Sequence, residues 1–274
     1  MRLSELGELG LLAELERRAL AEGIEDDAAE LAGGVVVTQD SLVEGVHFRL
    51  DWLSWRELGF RAAAVNISDL AASGARPEAL LVGLGAPAQT DSDDIFELYR
   101  GLGEAGVPVR GGDTTEAEDV FVAVTAVGRS ERVPGRSAAR PGDLLVVTGP
   151  LGAAGAAFRR QTYVRPPLRI EEGLELAREA HAMLDISDGL GLDAGHIASR
   201  SGCRVVIELE HVPLAAGATD ADLSFGEDYE LLAATPNPRD FHVIGRCEEG
   251  DGVEIRRNGR SVELGGWDHF RPRA

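Results

Sequence analysis

Acidic side chains recur in this chain inside or directly after apolar segments, where a carboxylate needs a compensating partner. Asp69 is the clearest case, because it lies at 66–74 among small and apolar residues that recur at helical spacing. An ionised carboxylate in such surroundings is costly unless a cation or a hydrogen-bond network compensates it. The nearest basic residue in the helical run that leads to Asp69 is Arg61, about two turns earlier. We therefore interpret Asp69 as facing a positive group, most simply a metal ion; the alternative is a solvated aspartate at the edge of a helix.

Other acids and hydroxyls stand at the ends of predicted strands, beside glycines or at the start of a predicted helix. Oxygen atoms are the ligands that Mg²⁺ prefers. Each of these motifs alone is also typical of a surface turn, so only the series indicates a metal site. The residues concerned are Asp27, Thr38, Asp40, Asp113, Asp185 and Asp188.

Glycines beside several of these acids are typical of a backbone that approaches a phosphate closely. The segment 111–115 reads Gly-Gly-Asp-Thr-Thr and ends a short predicted strand at 107–110, although the same pattern is common in hairpin turns. A second glycine-rich turn, at 149–155, leads from a predicted strand into a helix. It fits either a phosphate cradle or a plain helix start.

The charge of the chain excludes several classes of function. Its 274 residues carry 47 acidic and 27 basic side chains, for a formal net charge of −20, and every basic one is arginine. Binding to nucleic acid or to an anionic membrane surface is therefore not expected. P-loop kinases and protein kinases both need a lysine, so they are excluded as well. A phosphate ligand would require metal cations to offset the repulsion.

Cysteine usage and hydropathy indicate a cytoplasmic protein. Cys203 and Cys247 are the only cysteines, and their spacing is not that of a metal or redox motif. No apolar segment approaches the length needed to span a membrane. The segment 1–21 alternates leucine with charged residues, which predicts an amphipathic helix and not a signal peptide.

The elements that must position these residues can be read from periodicity and turn signals. Helices are predicted from Trp55 to Gly74, at 91–105 and at 189–200, with Gly74 as a C-terminal glycine and Ser187 as an N-cap. Short strands occur between them, and the polar segment 129–140 is interpreted as a junction between two domains. Mixed helices and clustered strands favour an α+β fold over a doubly wound sheet.

Eight segments that contain these acids and glycines occur in order over nearly the whole chain. The segments are GIEDDAA at 23–29, DSLVEGVHF at 40–48, NISDLAASGA at 66–75, GGDTT at 111–115, RSAARPGD at 136–143, LDISDGL at 184–190, GEDYEL at 226–231 and WDHF at 267–270. Together they resemble the thiamine-monophosphate kinase family of the PurM-like (aminoimidazole ribonucleotide synthetase-like) superfamily. The segment at 40–48 and the two C-terminal ones are similar to this family in particular.

The resemblance implies a two-domain PurM-like fold. An N-terminal domain at 1–133 would bind metal and nucleotide and pair through its sheet in a homodimer. A C-terminal α/β domain at 134–274 would complete the metal and substrate sites. The implied activity is ATP-dependent phosphorylation of thiamine monophosphate to thiamine diphosphate by direct transfer, with several Mg²⁺ ions and no catalytic residue beyond the metal ligands.

The resemblance also implies roles for individual residues, transferred by position. The metal ligands would be Asp27, Thr38, Gln39, Asp40, Asp69, Asp113, Asp185 and Asp188, with Gln39 acting through its backbone. The nucleotide contacts would be Gly112, Arg136 and Ser187. The contacts to thiamine phosphate would be His47, Glu227 and Trp267.

Two departures and two alternatives accompany this interpretation. Glu25 stands where the family usually has glycine, and the segment 156–165 is shorter than the family norm. Another member of the superfamily would share the aspartates but not the substrate-end motifs. A non-catalytic regulator that binds nucleotide or metal is the other alternative, although it would not need so many uncompensated carboxylates.

Overall fold

The structure is a computed structural model that describes residues 2–24, 26–267 and 270. Glu25 and part of the C-terminal motif at 267–270 therefore lie outside the described residues. The described residues form two sheets, of five and seven strands, accompanied by six α-helices. The predicted α+β class is confirmed. Among the described residues, no helix combines the length and the apolar character needed to cross a membrane.

The first sheet has the strand order β1-β2-β5-β3-β4 and is antiparallel except between β3 and β4. Side chains of its central strands alternate between the two faces, as a sheet covered on one face requires. Val36, Thr38 and Leu42 are buried on β2, whereas Gln39 and Ser41 are exposed. The strands are β1 Ala29–Leu31, β2 Val35–Val43, β3 Arg76–Ala86, β4 Val109–Glu116 and β5 Phe121–Arg129.

Helices α2 and α3 cover the buried face of the first sheet. The two helices approach closely at Gly59 and Gly101, where an added Cβ would lie 1.9 Å from a backbone oxygen of the other helix. Ser54 caps α2 by accepting a hydrogen bond from the N–H of Glu57. The first three helices are α1 Leu3–Arg17, α2 Trp55–Ala72 and α3 Ser92–Glu104.

The second sheet has the strand order β12-β11-β8-β10-β6-β9-β7 and is antiparallel except between β11 and β8. Helix α6 packs against it, so the core lies between the sheet and this helix. The strands are β6 Leu144–Val147, β7 Ala182–Asp185, β8 Arg204–Glu208, β9 Leu231–Thr235, β10 His242–Glu248, β11 Gly252–Arg257 and β12 Arg260–Ser261; the helices are α4 Ala153–Arg159, α5 Ile170–Leu176 and α6 Leu190–Ser201.

Helix α2 is central because both halves of the molecule pack against it. Ala71 and Ala72 join a cluster with Val146 and Met183 of the second sheet. At Gly173 of α5, an added Cβ would lie 2.2 Å from the backbone oxygen of Ala71. A helix contacted on several sides must present small side chains in most directions, which explains its alanine-rich sequence.

Most predicted elements are confirmed, with corrections at their ends. The helix containing Asp69 ends as predicted, with Gly74 at φ +59°. The strand predicted at 107–110 is wrong in extent, since β4 runs on through the Gly-Gly-Asp-Thr-Thr segment by pairing with β3. The N-cap of α6 is Gly189 and not Ser187. The predicted N-terminal helix exists, but Gly7 interrupts it with φ 71° and ψ 173°.

Candidate active site between the two sheets

A cleft of about 1270 Å³ lies between the two sheets and contains most of the predicted site residues. Its walls come from α1, β2, α2, α4 and the loops that flank α6 and β9. The predicted residues that line it are Asp27, Thr38, Gln39, Asp40, His47, Asp69, Arg136, Asp185, Ser187, Asp188, Glu227 and Trp267. The fold therefore brings together motifs that are far apart in sequence.

Asp27, Asp69 and Asp185 form an acid cluster in this cleft. One carboxylate oxygen from each lies within 4.8 Å of one from each of the others. Asp27 precedes β1, Asp69 lies near the end of α2, and Asp185 is the last residue of β7. A loop, a helix and a strand thus bring their carboxylates together between the sheets.

Short hydrogen bonds hold this acid cluster in place. The hydroxyl of Thr38 donates to Oδ2 of Asp69 at 2.6 Å, and that of Ser68 donates to Oδ2 of Asp185 at 2.5 Å. Asn66 accepts a hydrogen bond from the backbone N–H of Asp40 at 2.9 Å. The polar residues of α2 therefore fix the helix to β2 on one side and to β7 on the other.

The three carboxylates of the acid cluster carry more negative charge than the single guanidinium of Arg136, which pairs with Asp27, can offset. Burial raises the pKa of Asp69 well above its ordinary value, and Asp40, Asp185 and Asp27 add to the effect. Burial and Asp27 likewise raise the pKa of Asp185. Burial also raises the pKa of Asp27, although the salt bridge from the guanidinium of Arg136 opposes this.

The donor set fits a hard divalent cation. Carboxylate and hydroxyl oxygens are the ligands of Mg²⁺ in proteins, and a bound cation would offset the like charges that raise these pKa values. Thr38 and Asp40 stand beside the acid cluster on β2. Gln39 differs from them, because its side chain accepts a hydrogen bond from Thr125 at 2.9 Å on the opposite face of the sheet. Only the backbone of Gln39 is on the side of the acids.

Asp188 lies in a second group, with Asp193 and His196, whose ligand atoms also lie within 4.8 Å of one another. Asp193 accepts hydrogen bonds from the backbone N–H groups of Asp188 at 3.2 Å and Gly189 at 3.0 Å. It therefore shapes the turn that begins α6. Burial, together with Arg136 and Arg200, lowers the pKa of His196 to about 4, so its imidazole is neutral near pH 7.

Gly112 and Asp113 do not line the cleft. Both are exposed on β4, the edge strand of the first sheet. Cα pairing runs from Asp40 to Val124, then to Val82 and finally to Gly112. This is three strand spacings, or about 14 Å along the sheet. A single chain therefore does not bring these two residues to the acid cluster.

The residues predicted to contact the substrates are held by their own polar partners. Nδ1 of His47 accepts a hydrogen bond from the N–H of Val43 at 3.0 Å. The carbonyl of Ser187 accepts from the N–H of Glu227 at 2.8 Å, and the N–H of Trp267 donates to the carbonyl of Asp188 at 2.9 Å. These contacts fix the backbone that carries Glu227 and Trp267 to the segment 187–188.

Several cleft residues were not predicted from the sequence. The rings of Trp52, Phe158 and Phe225 contact one another in series: Trp52 meets Phe158 edge to face at 5.6 Å, and Phe158 lies tilted against Phe225 at 4.8 Å between centroids. Arg61 and Tyr163 also line the cleft. The lone arginine within the apolar part of α2 was the available signal for Arg61. The aromatic residues come from three unrelated loops and helices, so no local pattern joined them.

The glycine-rich turn at 149–155 fits either a phosphate cradle or a plain helix start from its sequence, and the structure favours the helix start. Asp228 accepts hydrogen bonds from the N–H groups of Gly152 at 2.7 Å and Ala154 at 3.4 Å. A carboxylate of the chain itself therefore occupies the start of α4, which is a plain helix start and not a phosphate cradle.

Two family models match the chain. The model for AIR synthase related protein, N-terminal domain, matches residues 25–130, and the model for the C-terminal domain of the same proteins matches residues 140–263. The thiamine-monophosphate kinase of Aquifex aeolicus (strain VF5) is 34% identical, over 98% of this chain and 100% of that protein. That of Mycobacterium tuberculosis (strain ATCC 25618 / H37Rv) is also 34% identical, over 98% and 93%.

Solved structures give the same result. A structure described as AaThiL complexed with AMPPCP and TMP has a TM-score of 0.90 at 35% identity and covers 98% of this chain and 99% of that chain. The two-domain PurM-like fold implied by the resemblance is thereby confirmed. The chain belongs to the thiamine-monophosphate kinase family of the AIR synthase related proteins.

Proposed function

We propose that the chain transfers the terminal phosphoryl group of ATP to the phosphate of thiamine monophosphate, which yields ADP and thiamine diphosphate. The observation that carries the proposal is the acid cluster of Asp27, Asp69 and Asp185 in a cleft that is also lined by the aromatic rings of Trp52, Phe158 and Phe225. Such a cleft suits two phosphorylated ligands that also bear ring systems. The relatives named as thiamine-monophosphate kinases support the same choice.

The acid cluster would hold Mg²⁺, with Thr38 and Asp40 beside it. When bound, Mg²⁺ supplies positive charge at the phosphate oxygens of both substrates. Asp188, which also lines the cleft, is a further proposed ligand. A terminal phosphate oxygen of the acceptor is already a nucleophile, so the chain needs neither a covalent intermediate nor a general base.

The remaining cleft residues would bind and orient the two substrates. We assign Arg136 and Ser187 to the nucleotide, because they stand beside the acid cluster in the cleft. His47, Glu227 and Trp267 are assigned to thiamine monophosphate. Walls drawn from both sheets would exclude water, which favours transfer to the acceptor over hydrolysis of ATP.

A homodimer would complete the site. Asp113 and Gly112 lie on the edge strand β4, whose outer edge is available for pairing, and Leu81 next to it is 42% exposed on the uncovered face of the sheet. We propose that this face pairs with a second copy and that Asp113 serves the acid cluster of the partner. We also propose domains at 1–133 and 134–274, and a cytoplasmic location consistent with two free buried cysteines.

Turnover by the purified protein tests this function. ATP, Mg²⁺ and a panel of acceptors should be supplied, namely thiamine monophosphate, thiamine and phosphorylated metabolites of other kinds, with separation of nucleotides and thiamine phosphates by chromatography. The expected result is thiamine diphosphate from thiamine monophosphate alone. Turnover of a different acceptor would favour another superfamily activity, and nucleotide binding without any turnover would favour a regulator.

A further inference from the structure

Arg61 and Glu227 form an ion pair in the lining of the cleft, where the two halves of the molecule meet. Nη2 of Arg61 on α2 donates to Oε1 of Glu227 in the loop before β9 at 2.5 Å. The side chain of Arg61 is only 10% exposed, whereas that of Glu227 is 26% exposed. Both residues line the cleft. The pair therefore presents a hydrogen-bond donor next to an acceptor on one cleft wall.

Two buried hydrogen-bonding groups in this wall have no partner among the described residues. A guanidinium has five N–H donors, yet Nε of Arg61 has no hydrogen-bond partner among the described residues. The hydroxyl of Tyr163, another cleft residue, lacks one as well within the same part of the chain. Since buried polar groups nearly always have partners, two such groups in one wall indicate a site that a polar ligand completes.

The backbone that carries Glu227 is held in an unusual conformation. Glu227 and Tyr229 have φ of 57° and 52°, a region that non-glycine residues rarely adopt. Their N–H groups donate to the carbonyls of Ser187 at 2.8 Å and Ile186 at 2.9 Å, directly after Asp185. Such conformations persist where the surroundings enforce them, often at ligand sites. Glu227 therefore has a fixed position relative to the acid cluster.

Aromatic side chains that line the same cleft as this pair favour a flat ligand. Phe225 lies two residues before Glu227, and its ring is 4.8 Å from that of Phe158, which contacts Trp52. Offset or tilted aromatic surfaces of this kind accept a planar ring. A donor beside an acceptor complements a ring edge on which a nitrogen acceptor adjoins an exocyclic amine. The aminopyrimidine of thiamine phosphate has such an edge.

We propose that Arg61 is a specificity-determining residue that acts with Glu227 on the aminopyrimidine edge of the acceptor. Glu227 accepts a hydrogen bond from the exocyclic amine, and Arg61 donates to the neighbouring ring nitrogen while holding the carboxylate in place. This inference rests on the proposed function. It assigns to Arg61 a contact with the acceptor ring and not with the phosphates or with ATP.

Equilibrium binding measurements test the role of Arg61 independently of whether the protein catalyses the reaction. Calorimetry should measure three ligands on the full chain with Mg²⁺ and AMPPCP: thiamine monophosphate, its analogue with an oxo group in place of the amine, and the thiazole phosphate fragment without the pyrimidine. We expect the parent protein to prefer the amine to the oxo analogue, because the oxo analogue places like groups opposite each other. Arg61→Gln should reduce the ratio of the two affinities by about tenfold or more, because the loss of one buried hydrogen bond to a ligand typically changes affinity by about that factor.

Control ligands and control variants distinguish a contact between Arg61 and the acceptor ring from a purely structural role of Arg61. Affinity for the thiazole phosphate fragment and for AMPPCP should change less than about twofold in Arg61→Gln, because neither touches the pair. Arg56→Gln is the matched control, since Arg56 lies on the same helix but pairs with Glu104 on the surface. Arg61→Lys, which keeps the charge but loses the planar donors, should recover affinity only in part.

The binding results can contradict the role of Arg61, the proposed function, or both. Equal losses for the fragment and for thiamine monophosphate, or an unchanged preference for the amine, would overturn the role of Arg61. Binding that follows the predicted pattern without any turnover would support Arg61 and contradict the proposed function. If the parent protein binds none of the three ligands, both proposals fail.

Discussion

The hydroxyl of Ser68 on α2 lies 2.5 Å from Oδ2 of Asp185 at the end of β7, so one hydrogen bond joins the two halves of the molecule beside the acid cluster. The next residue on α2, Asp69, belongs to that cluster and receives the hydrogen bond from Thr38. Consecutive residues of a single helix thus fix the position of the second sheet and supply a proposed metal ligand. Relative movement of the two halves would alter the metal site directly.

Asp69→Asn should abolish turnover and leave the metal-free fold at least as stable as the parent. Asparagine keeps the size and one oxygen but removes a buried charge that faces other carboxylates. Specific activity and the melting temperature in EDTA test this, with Asp251→Asn in an exposed turn as the matched control. Full specific activity in Asp69→Asn would remove this residue from the metal site.

Mg²⁺ with an ATP analogue should raise the melting temperature. The acid cluster is a source of repulsion in the folded state, and a ligand that binds only that state stabilises it by about 2.7 kcal/mol at a hundredfold excess over its Kd. A thermal shift titration in millimolar Mg²⁺ and AMPPCP measures the effect, with EDTA as the control. A melting curve that stays constant through the titration would count against a multi-metal site.

The metal-free protein should lose stability as the pH rises above the ordinary range of an aspartate. Burial, together with neighbouring acids, raises the pKa of Asp69 and Asp185 above the reference value of 3.8. The folded state then binds more protons than the unfolded state in that interval, so the free energy of unfolding falls with pH. The contribution is fully present below about pH 4 and is lost as the pH rises through the raised values.

Denaturant unfolding in EDTA across that pH range provides the measurement. Asp69→Asn should flatten the slope, because one of the titrating groups is gone. A free energy of unfolding that increases with pH over the interval would show that these carboxyls are stabilised in their charged form.

Trp267→Ala should raise the KM for thiamine monophosphate and leave the KM for ATP nearly unchanged. A stacked aromatic ring contributes about 0.5–1.5 kcal/mol beyond its buried area, which corresponds to an increase of up to about tenfold. Steady-state kinetics with each substrate varied in turn would show the split. Equal rises in both constants, or a lower melting temperature alone, would make Trp267 a structural residue.

Glu227→Gln should raise the same KM but also lower stability. The structure adds this second effect, because the substitution leaves the guanidinium of Arg61 without its carboxylate partner. Comparison with Glu254→Gln, whose partner Arg256 lies in a surface pair on β11, separates the loss of a surface ion pair from the loss of the cleft pair. An unchanged KM for thiamine monophosphate in Glu227→Gln would exclude a contact with the acceptor.

The variant Asp113→Asn should be inactive by itself. Activity should return when it is mixed with the equally inactive variant Asp69→Asn and the two proteins exchange subunits. If Asp113 acts on the site of a partner subunit, subunit exchange between equal amounts of the two variants creates one intact site per mixed dimer. Roughly a quarter of the parent activity should then return. Activity after exchange is compared with that of each variant alone. No recovery in demonstrably mixed dimers would place Asp113 outside the partner's site.

The sequence predicts the local elements well but not the long-range pairings. The apolar periodicity around Asp69 gives α2 and its C-terminal glycine, both of which the structure confirms. The acids of the segment 226–231 look alike in sequence, yet Glu227 pairs with Arg61, Asp228 caps α4 and Glu230 binds Arg169. Those partners come from 61 to 169, so no local pattern could assign them.

Strand register and burial explain the other differences. Pairing with β3 extends β4 through Asp113, because the backbone of Gly111 and Gly112 continues the ladder although glycine is typical of turns. Asp193 carries no motif of its own, and only the fold shows that it accepts from the backbone at the start of α6. Long-range geometry decided these cases where the local sequence favoured other structures.

In the proposed function, the acid cluster supports transfer of a phosphoryl group from ATP to thiamine monophosphate. Phosphorus NMR of one reaction mixture, followed in time with the parent protein and with Asp69→Asn, tests it most directly. We predict equal amounts of ADP and thiamine diphosphate with the parent, only in the presence of Mg²⁺, and neither with Asp69→Asn. Formation of ADP and inorganic phosphate without thiamine diphosphate, or equal turnover by both proteins, would contradict this function.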